Sequence, residues 1–236
     1  MKKKHLVMIW SMPFVLGAGL LWLLTSQQQV KEAVVIEIPK LIEADPHLRI
    51  RNGFDQLKVR LDELERQSPK PPPLVQGKGI EIERKEFLFY KFNVHLTNSL
   101  REEPLDIPDG AELLDQMVKK RLYVQQAIER GITVPDTEVD DFISVQQDML
   151  GSYEPDNKED QLLAEVLRNR IRITGLSDEE FWQSDAIRQE YRAVFLAGKH
   201  SDAIVSDGTV QDRSGIDAYI DDLFKKLQRK LTYNIS

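Results

Sequence analysis

The stretch from Ala111 to Ile143, AELLDQMVKKRLYVQQAIERGITVPDTEVDDFI, decides the fold. In its first half Leu113, Leu114, Met117, Val118, Leu122, Val124 and Ile128 recur at the three-and-four spacing that lines one broad face of a helix. Lys119, Lys120, Arg121, Gln125 and Gln126 take up much of the rest. Gly131 supplies the positive φ that stops a helix, and Ile132 is placed to fold back on the last turn. Pro135 suits the first position of a second helix, whose apolar stripe is Val139, Phe142, Ile143, Gln146 and Leu150. The expected unit is a helical hairpin.

Working outward toward the C-terminus, a helix is expected from about Lys158 to Ile173, with Leu162, Leu163, Val166, Leu167 and Ile171 on its apolar side and Arg168, Arg170 and Arg172 opposite. Ser177 and Glu180 have the spacing of a capping box. They open a helix that carries Phe181, Ile187, Tyr191, Val194 and Phe195. Residues 197–214 are polar, contain Gly198 and Gly208, and read as a loop. The terminal helix, from about Ile216, has Ile216, Tyr219, Ile220, Leu223, Phe224 and Leu227 on one face, and residues 231–235 alternate like a strand.

Toward the N-terminus, Leu74 and Val75 begin a short strand, residues 76–79 turn, and residues 80–82 continue it before a helix bearing Phe87, Tyr90 and Val94. Lys70, Pro71, Pro72 and Pro73 impose an extended spacer, where the domain boundary is expected. The preceding residues 27–73 read as a stalk with a strand-like run at Val34, Val35, Ile36 and Ile38. Phe54, Leu57, Leu61 and Leu64 line one helix face within it, a pattern that fits packing on the main domain and pairing with a second copy of the chain equally well.

Lys2, Lys3 and Lys4 precede an uncharged, mostly apolar run of 19 residues from Leu6 to Leu24. As a helix it is about 28 Å long, enough to span a bilayer. No Ala-x-Ala pattern follows, which favours an uncleaved signal anchor over a cleavable signal peptide. The leading lysines assign their side to the cytoplasm and the rest of the chain to the outside. The absence of cysteine excludes a lipid-modified N-terminal cysteine and disulfides. Of the 32 basic side chains, removal of the three leading lysines leaves 29 against 39 acidic ones, a net charge of −10 that disfavours nucleic acid as a partner.

Three segments carry a resemblance. Leu113-Leu114-Asp115-Gln116 with Arg130-Gly131-Ile132-Thr133-Val134, then Val75-Gln76-Gly77 with Ile82-Glu83 and Glu86-Phe87, and finally residues 175–181, GLSDEEF, together resemble the chaperone domain of SurA-type and PrsA-type extracytoplasmic foldases. Those families usually have Ser or Thr where Pro135 stands, and they carry a parvulin-type isomerase domain ahead of the terminal helix, where here only the polar loop stands. The resemblance implies a mostly α fold over residues 74–236, with a small two-stranded sheet from its N- and C-terminal ends, preceded by the membrane helix at 1–26. It implies binding of unfolded exported polypeptides without isomerase activity or cofactor.

Residue chemistry points the same way. His5, His47, His95 and His200 are scattered without metal-ligand spacing. Gly77-Lys78-Gly79 lacks the spacing of a phosphate loop, and adjacency of His200, Ser201 and Asp202 does not make a triad. The acidic pairs Asp140-Asp141, Glu179-Glu180 and Asp221-Asp222 read as helix-start and surface charges. The densest aromatic patch, Leu88, Phe89, Tyr90 and Phe92, reads either as core or, with Met117, Met149 and Tyr153, as an apolar groove for unfolded chains. A dedicated assembly subunit that binds one envelope protein is the alternative to a general holdase.

The lysine asymmetry makes a direct prediction: a protease added outside intact cells digests the chain from Gln27 onward, and complete protection overturns this topology.

Overall fold

The structure is a computed structural model that describes residues 37–67, 71–152 and 158–234. The apolar run at 6–24, most of the strand-like run before Ile38, and Tyr153 lie outside the described residues, and of Met149 only its place in a helix is described. Among the described residues no helix is long and apolar enough to cross a membrane.

The described chain forms α1 (Pro46–Gln67), β1 (Val75–Gly77), β2 (Ile80–Ile82), α2 (Arg84–Ser99), α3 (Gly110–Glu129), α4 (Asp136–Ser152), α5 (Lys158–Thr174), α6 (Asp178–Gln183), α7 (Asp185–Ser206), α8 (Ile216–Leu227) and β3 (Thr232–Tyr233). It is mostly helical, with one small antiparallel sheet in the order β2-β1-β3. The expected pairing of the two ends is present, with Val75 opposite Tyr233 and Gln76 opposite Thr232. The sheet has a third strand because residues 80–82 do not continue β1 but fold back on it, Gly77 opposite Ile80. Lys78 (φ 52°) and Gly79 (φ 75°) make the reversal. Positive φ at both central residues gives the primed turn that matches strand twist.

α3 ends as its sequence dictates. Gly131 has φ 75°, its N–H donates to the Ile128 carbonyl (2.9 Å), and the Ile132 N–H donates to the Ala127 carbonyl (3.0 Å). These are the two bonds of a Schellman motif. At the other end the Asp109 carboxylate accepts from the Glu112 N–H (2.9 Å) and Glu112 accepts from the Asp109 N–H (3.2 Å), a capping box. α4 begins one residue after Pro135 and lies chiefly against α7. Arg188 pairs with Asp136 and Asp140, and Lys199 with Glu138 (2.6 Å), across that contact. The hairpin is therefore one of sequence order, with α7 between its arms.

The core has four neighbouring parts. Leu74, Val75, Ile82, Phe87, Leu113, Leu114, Val118 and Leu122 join sheet, α2 and α3, and Leu223, Phe224 and Leu227 of α8 cover them. Ala127, Val139, Ile143, Phe181, Trp182 and Ile187 join α3, α4, α6 and α7. Ile50, Phe54 and Leu57 of α1 meet Leu88, Phe92 and Leu96 of α2 and Leu162 and Ile173 of α5. Of the two arrangements open for α1, this is packing on the domain. Tyr123, Ile204 and Val210 form the fourth part, beneath Ile216, Tyr219 and Ile220.

Three expectations are corrected. Residues 197–214 are not one loop: α7 runs to Ser206, because Leu196, His200 and Ile204 continue its buried stripe at four-residue spacing through Gly198. The helix opened by Ser177 breaks at Ser184 (φ −64°, ψ 141°), whose hydroxyl accepts from the Ile187 N–H to cap α7. The Ser177–Glu180 capping box itself is present. Ile128 and Val194 face solvent, 51% and 49% exposed, because the faces that pack at their helices are those of Tyr123 with Ala127 and of Ile187 with Leu196.

Gly77 has φ 130°, and a Cβ there would lie 2.7 Å from the Lys230 carbonyl oxygen. The close approach of β1 to the segment entering β3 leaves no room for a side chain. Gly77→Ala is expected to destabilise the domain by about 1–3 kcal/mol, read from the denaturant midpoint. An unchanged midpoint would show that the sheet is not needed for the fold.

Candidate functional site

Successive residues on a helix point about 100° apart, and this disperses the aromatic patch of α2. Leu88 and Phe92, one turn apart, are buried together against α1, with the Phe92 and Phe54 rings edge to face at 5.1 Å. Phe89 lies at the rim of that part of the core, under the Arg170 guanidinium at 5.2 Å. Tyr90 faces the sheet side, with the Lys120 ammonium 5.2 Å from its ring centroid. Met117 is buried in the same part of the core as Tyr90. The five described residues of the expected groove thus occupy two parts of the core, Leu88, Phe92 and Met117 at its interior and Phe89 and Tyr90 at its edge.

A cleft of about 370 Å³ opens elsewhere, between α3 and α8 beside the β1–β2 turn. Leu122 of α3 and Leu223 and Leu227 of α8 supply its apolar lining, and Tyr219 adds an aromatic wall. Gln125 and Gln126 stand on α3 with Glu129, and Asp222, Lys226 and Lys78 complete the lining. Side-chain amides both donate and accept, which suits a main-chain peptide group, while charges of both signs set no preference for an anion. Gly79 brings the turn so close that a Cβ there would meet the Gln125 amide at 2.9 Å. Sequence reasoning missed this cleft because its walls come from residues 78, 122–129 and 219–227, and because Leu223 and Leu227 carry the same signal as core positions. The polar pair Gln125-Gln126, next to an apolar stripe, was its only local trace.

The histidine, serine and aspartate at 200–202 face separate partners. The Ser201 hydroxyl is 2.8 Å from the Tyr123 hydroxyl and donates to the Ala197 carbonyl (2.9 Å), and Asp202 pairs with Arg213 (2.6 Å). His200 is buried and bonds to neither. His47 pairs with Glu165, and His95 is part-buried, with burial and then Lys91 lowering its pKa. Among the described residues no group of three His, Asp or Glu side chains is placed to hold a metal ion. The acidic pairs have structural partners: Asp140 with Arg188, Asp221 with Lys119 (2.6 Å), and Glu180 in its capping box.

Comparison with protein-family models, with curated proteins and with solved structures gave no match to the chain.

Asp115, on α3, has its carboxyl raised from 3.8 to about 6, first by burial and next opposed by Lys119, with Asp109 and Glu112 adding to the rise. The same carboxyl raises the Tyr233 phenol on β3, whose own burial is the larger cause. A raised carboxyl favours the folded state while protonated, so its contribution is complete below the unfolded value and is lost as pH rises through about 6. Asp115→Asn is expected to remove that loss, raising stability at neutral pH relative to the parent by roughly 2 kcal/mol and leaving acid stability unchanged. Denaturant titrations of both proteins at acid and neutral pH check it.

Proposed function

We propose that the chain is a membrane-anchored holdase that binds unfolded exported polypeptides outside the cytoplasm without catalysing proline isomerisation. The observation that carries this reading is the closure of a helical body by β1 and β3, strands from the two ends of the domain, with only residues 207–212 joining α7 to the short turn before α8. That is the arrangement expected of a SurA-like chaperone domain from which the isomerase insert is missing. The apolar run behind Lys2 to Lys4 supplies the anchor in this reading.

The α3–α8 cleft is the natural place for a client. Its leucines accept an apolar side chain, its glutamines take the adjoining main chain, and neither demands a particular sequence. Its volume suits one or two residues at a time, so holding is weak at each point and exchange is fast. The rim charges Lys78, Asp222, Lys226 and Glu129 favour a second reading, an assembly subunit whose single envelope partner matches that pattern.

Light scattering separates the two. The full chain, added to several unrelated unfolded proteins, is expected to suppress aggregation of most of them, and Gln126→Ala combined with Lys226→Glu is expected to weaken suppression about fivefold through lost hydrogen bonds and altered charge. Suppression of none overturns the holdase reading. Suppression of one alone supports the dedicated subunit.

A further inference from the structure

α8 is the least enclosed of the long helices that close the sheet side: every residue of its apolar stripe is only part-buried, and none is fully buried. Leu223, Phe224 and Leu227 and the Lys119–Asp221 pair hold it over α3 and the sheet, and a joint of three rings attaches it where α3 meets α7. His200 of α7 is wholly buried, the Tyr123 ring of α3 lies 4.6 Å from it between centroids, and the Tyr219 ring of α8 lies 6.0 Å from it. The two tyrosine rings are themselves 6.3 Å apart, so the three close on one another. Ile204 and Val210 are buried beside Tyr123 and Tyr219 in the same part of the core.

No protein atom among the described residues hydrogen-bonds either ring nitrogen of His200. The Tyr123 hydroxyl, which could have served, is turned to Ser201 instead. A neutral imidazole enclosed this way leaves one donor and one acceptor without protein partners, which is costly but sustainable; an imidazolium would bury a full charge with none.

The charged groups around the joint offer no compensation. Arg130, at the C-terminal cap of α3, has its guanidinium paired with Asp207 just beyond α7; the cation disfavours a charged imidazole and the anion only partly offsets it. On α7 itself Asp202 is tied to Arg213 and Lys199 to Glu138. α8 presents Tyr219. Asp207 is held down to about 2 by Thr209 and Arg130 and stays charged, while burial holds the Tyr123 phenol up and neutral.

We propose that His200 is an acid sensor: uptake of a proton by its imidazole breaks the three-ring joint and releases α8, with the β3 strand that follows it, from α3 and α7. Burial, and after it Arg130, pushes the imidazole below its ordinary 6.5, with Asp207 opposing. The docked state therefore binds the proton less well than the released state. Docking is complete above the ordinary value and weakens as pH falls from there toward the depressed one. Release bares Tyr219, Leu223 and Leu227, which are also walls of the α3–α8 cleft, so acid would widen the cleft or abolish it. The device does not depend on what the cleft binds.

Hydrogen exchange on the full chain tests it. After correction for intrinsic rates, amides of residues 216–227 and 232–233 are expected to exchange faster at about pH 5.5 than well above the imidazole's ordinary value, by up to about tenfold, since each pH unit between the ordinary value and the depressed one is worth a factor of ten. His200→Phe, which keeps a ring and cannot ionise, is expected to show no faster exchange at the lower pH. If it does not fold, His200→Gln serves the same purpose. His95→Asn removes the part-buried imidazole of α2 and is expected to keep the full response, and Asp115 acts in the opposite direction. Equal protection of α8 in the parent at the two pH values, a response that survives in the His200 variant, or an NMR titration of His200 at or above its ordinary value each overturns the proposal.

Discussion

α3 contributes to three of the four parts of the core. Leu113, Leu114, Met117, Val118 and Leu122 bury one side of it under the sheet and α8, Tyr123 faces α7 and α8, and Ala127 reaches the part of the core shared with α4 and α6. Each large apolar side chain so buried contributes on the order of 1.5–3 kcal/mol relative to exposure. The two ends of α3 are fixed locally, by the Asp109 capping box and the Gly131 turn.

Because α3 holds the sheet on one side, strands far apart in the sequence meet there. β1 enters from the proline-rich spacer and β3 from the C-terminus, and the Asn234 side chain ties the two by donating to the Pro73 carbonyl (2.8 Å). α2 is gripped from both sides, with Phe87 in the sheet core and Leu88, Phe92 and Leu96 in the core shared with α1. A helix wanted by two cores has apolar residues around most of its circumference. That is why its aromatic cluster is divided in the fold, Leu88 and Phe92 inside one part of the core and Phe89 and Tyr90 at the edges.

The charges organise what the apolar surfaces leave loose. Arg188, Arg192 and Lys199 on α7 meet Asp136, Asp140 and Glu138 on α4, and Arg172 of α5 meets Asp55 of α1 (2.6 Å). These pairs are half-exposed and individually weak, but they set register between helices whose apolar contacts are nondirectional. The ring joint at His200 has no such polar bond to either tyrosine, and it lies where the least-buried helix attaches.

Local signals in the sequence determined most of the helices, the caps at Ser177 and Gly131, and the strand character at both ends of the domain, since each is a matter of residues within a few turns of one another. Tertiary packing decided the rest. Periodicity could not tell whether the stripe on α1 faces its own domain or a second copy, because both leave the same pattern; contact with Phe92 and Leu162 settles it. It could not carry α7 past Gly198, because glycine's conformational freedom argues for a loop until Ile204 is given a core to enter. The cleft and the joint at Tyr219 unite residues some hundred positions apart, and no local rule of spacing registers a meeting that only the docking of α8 brings about.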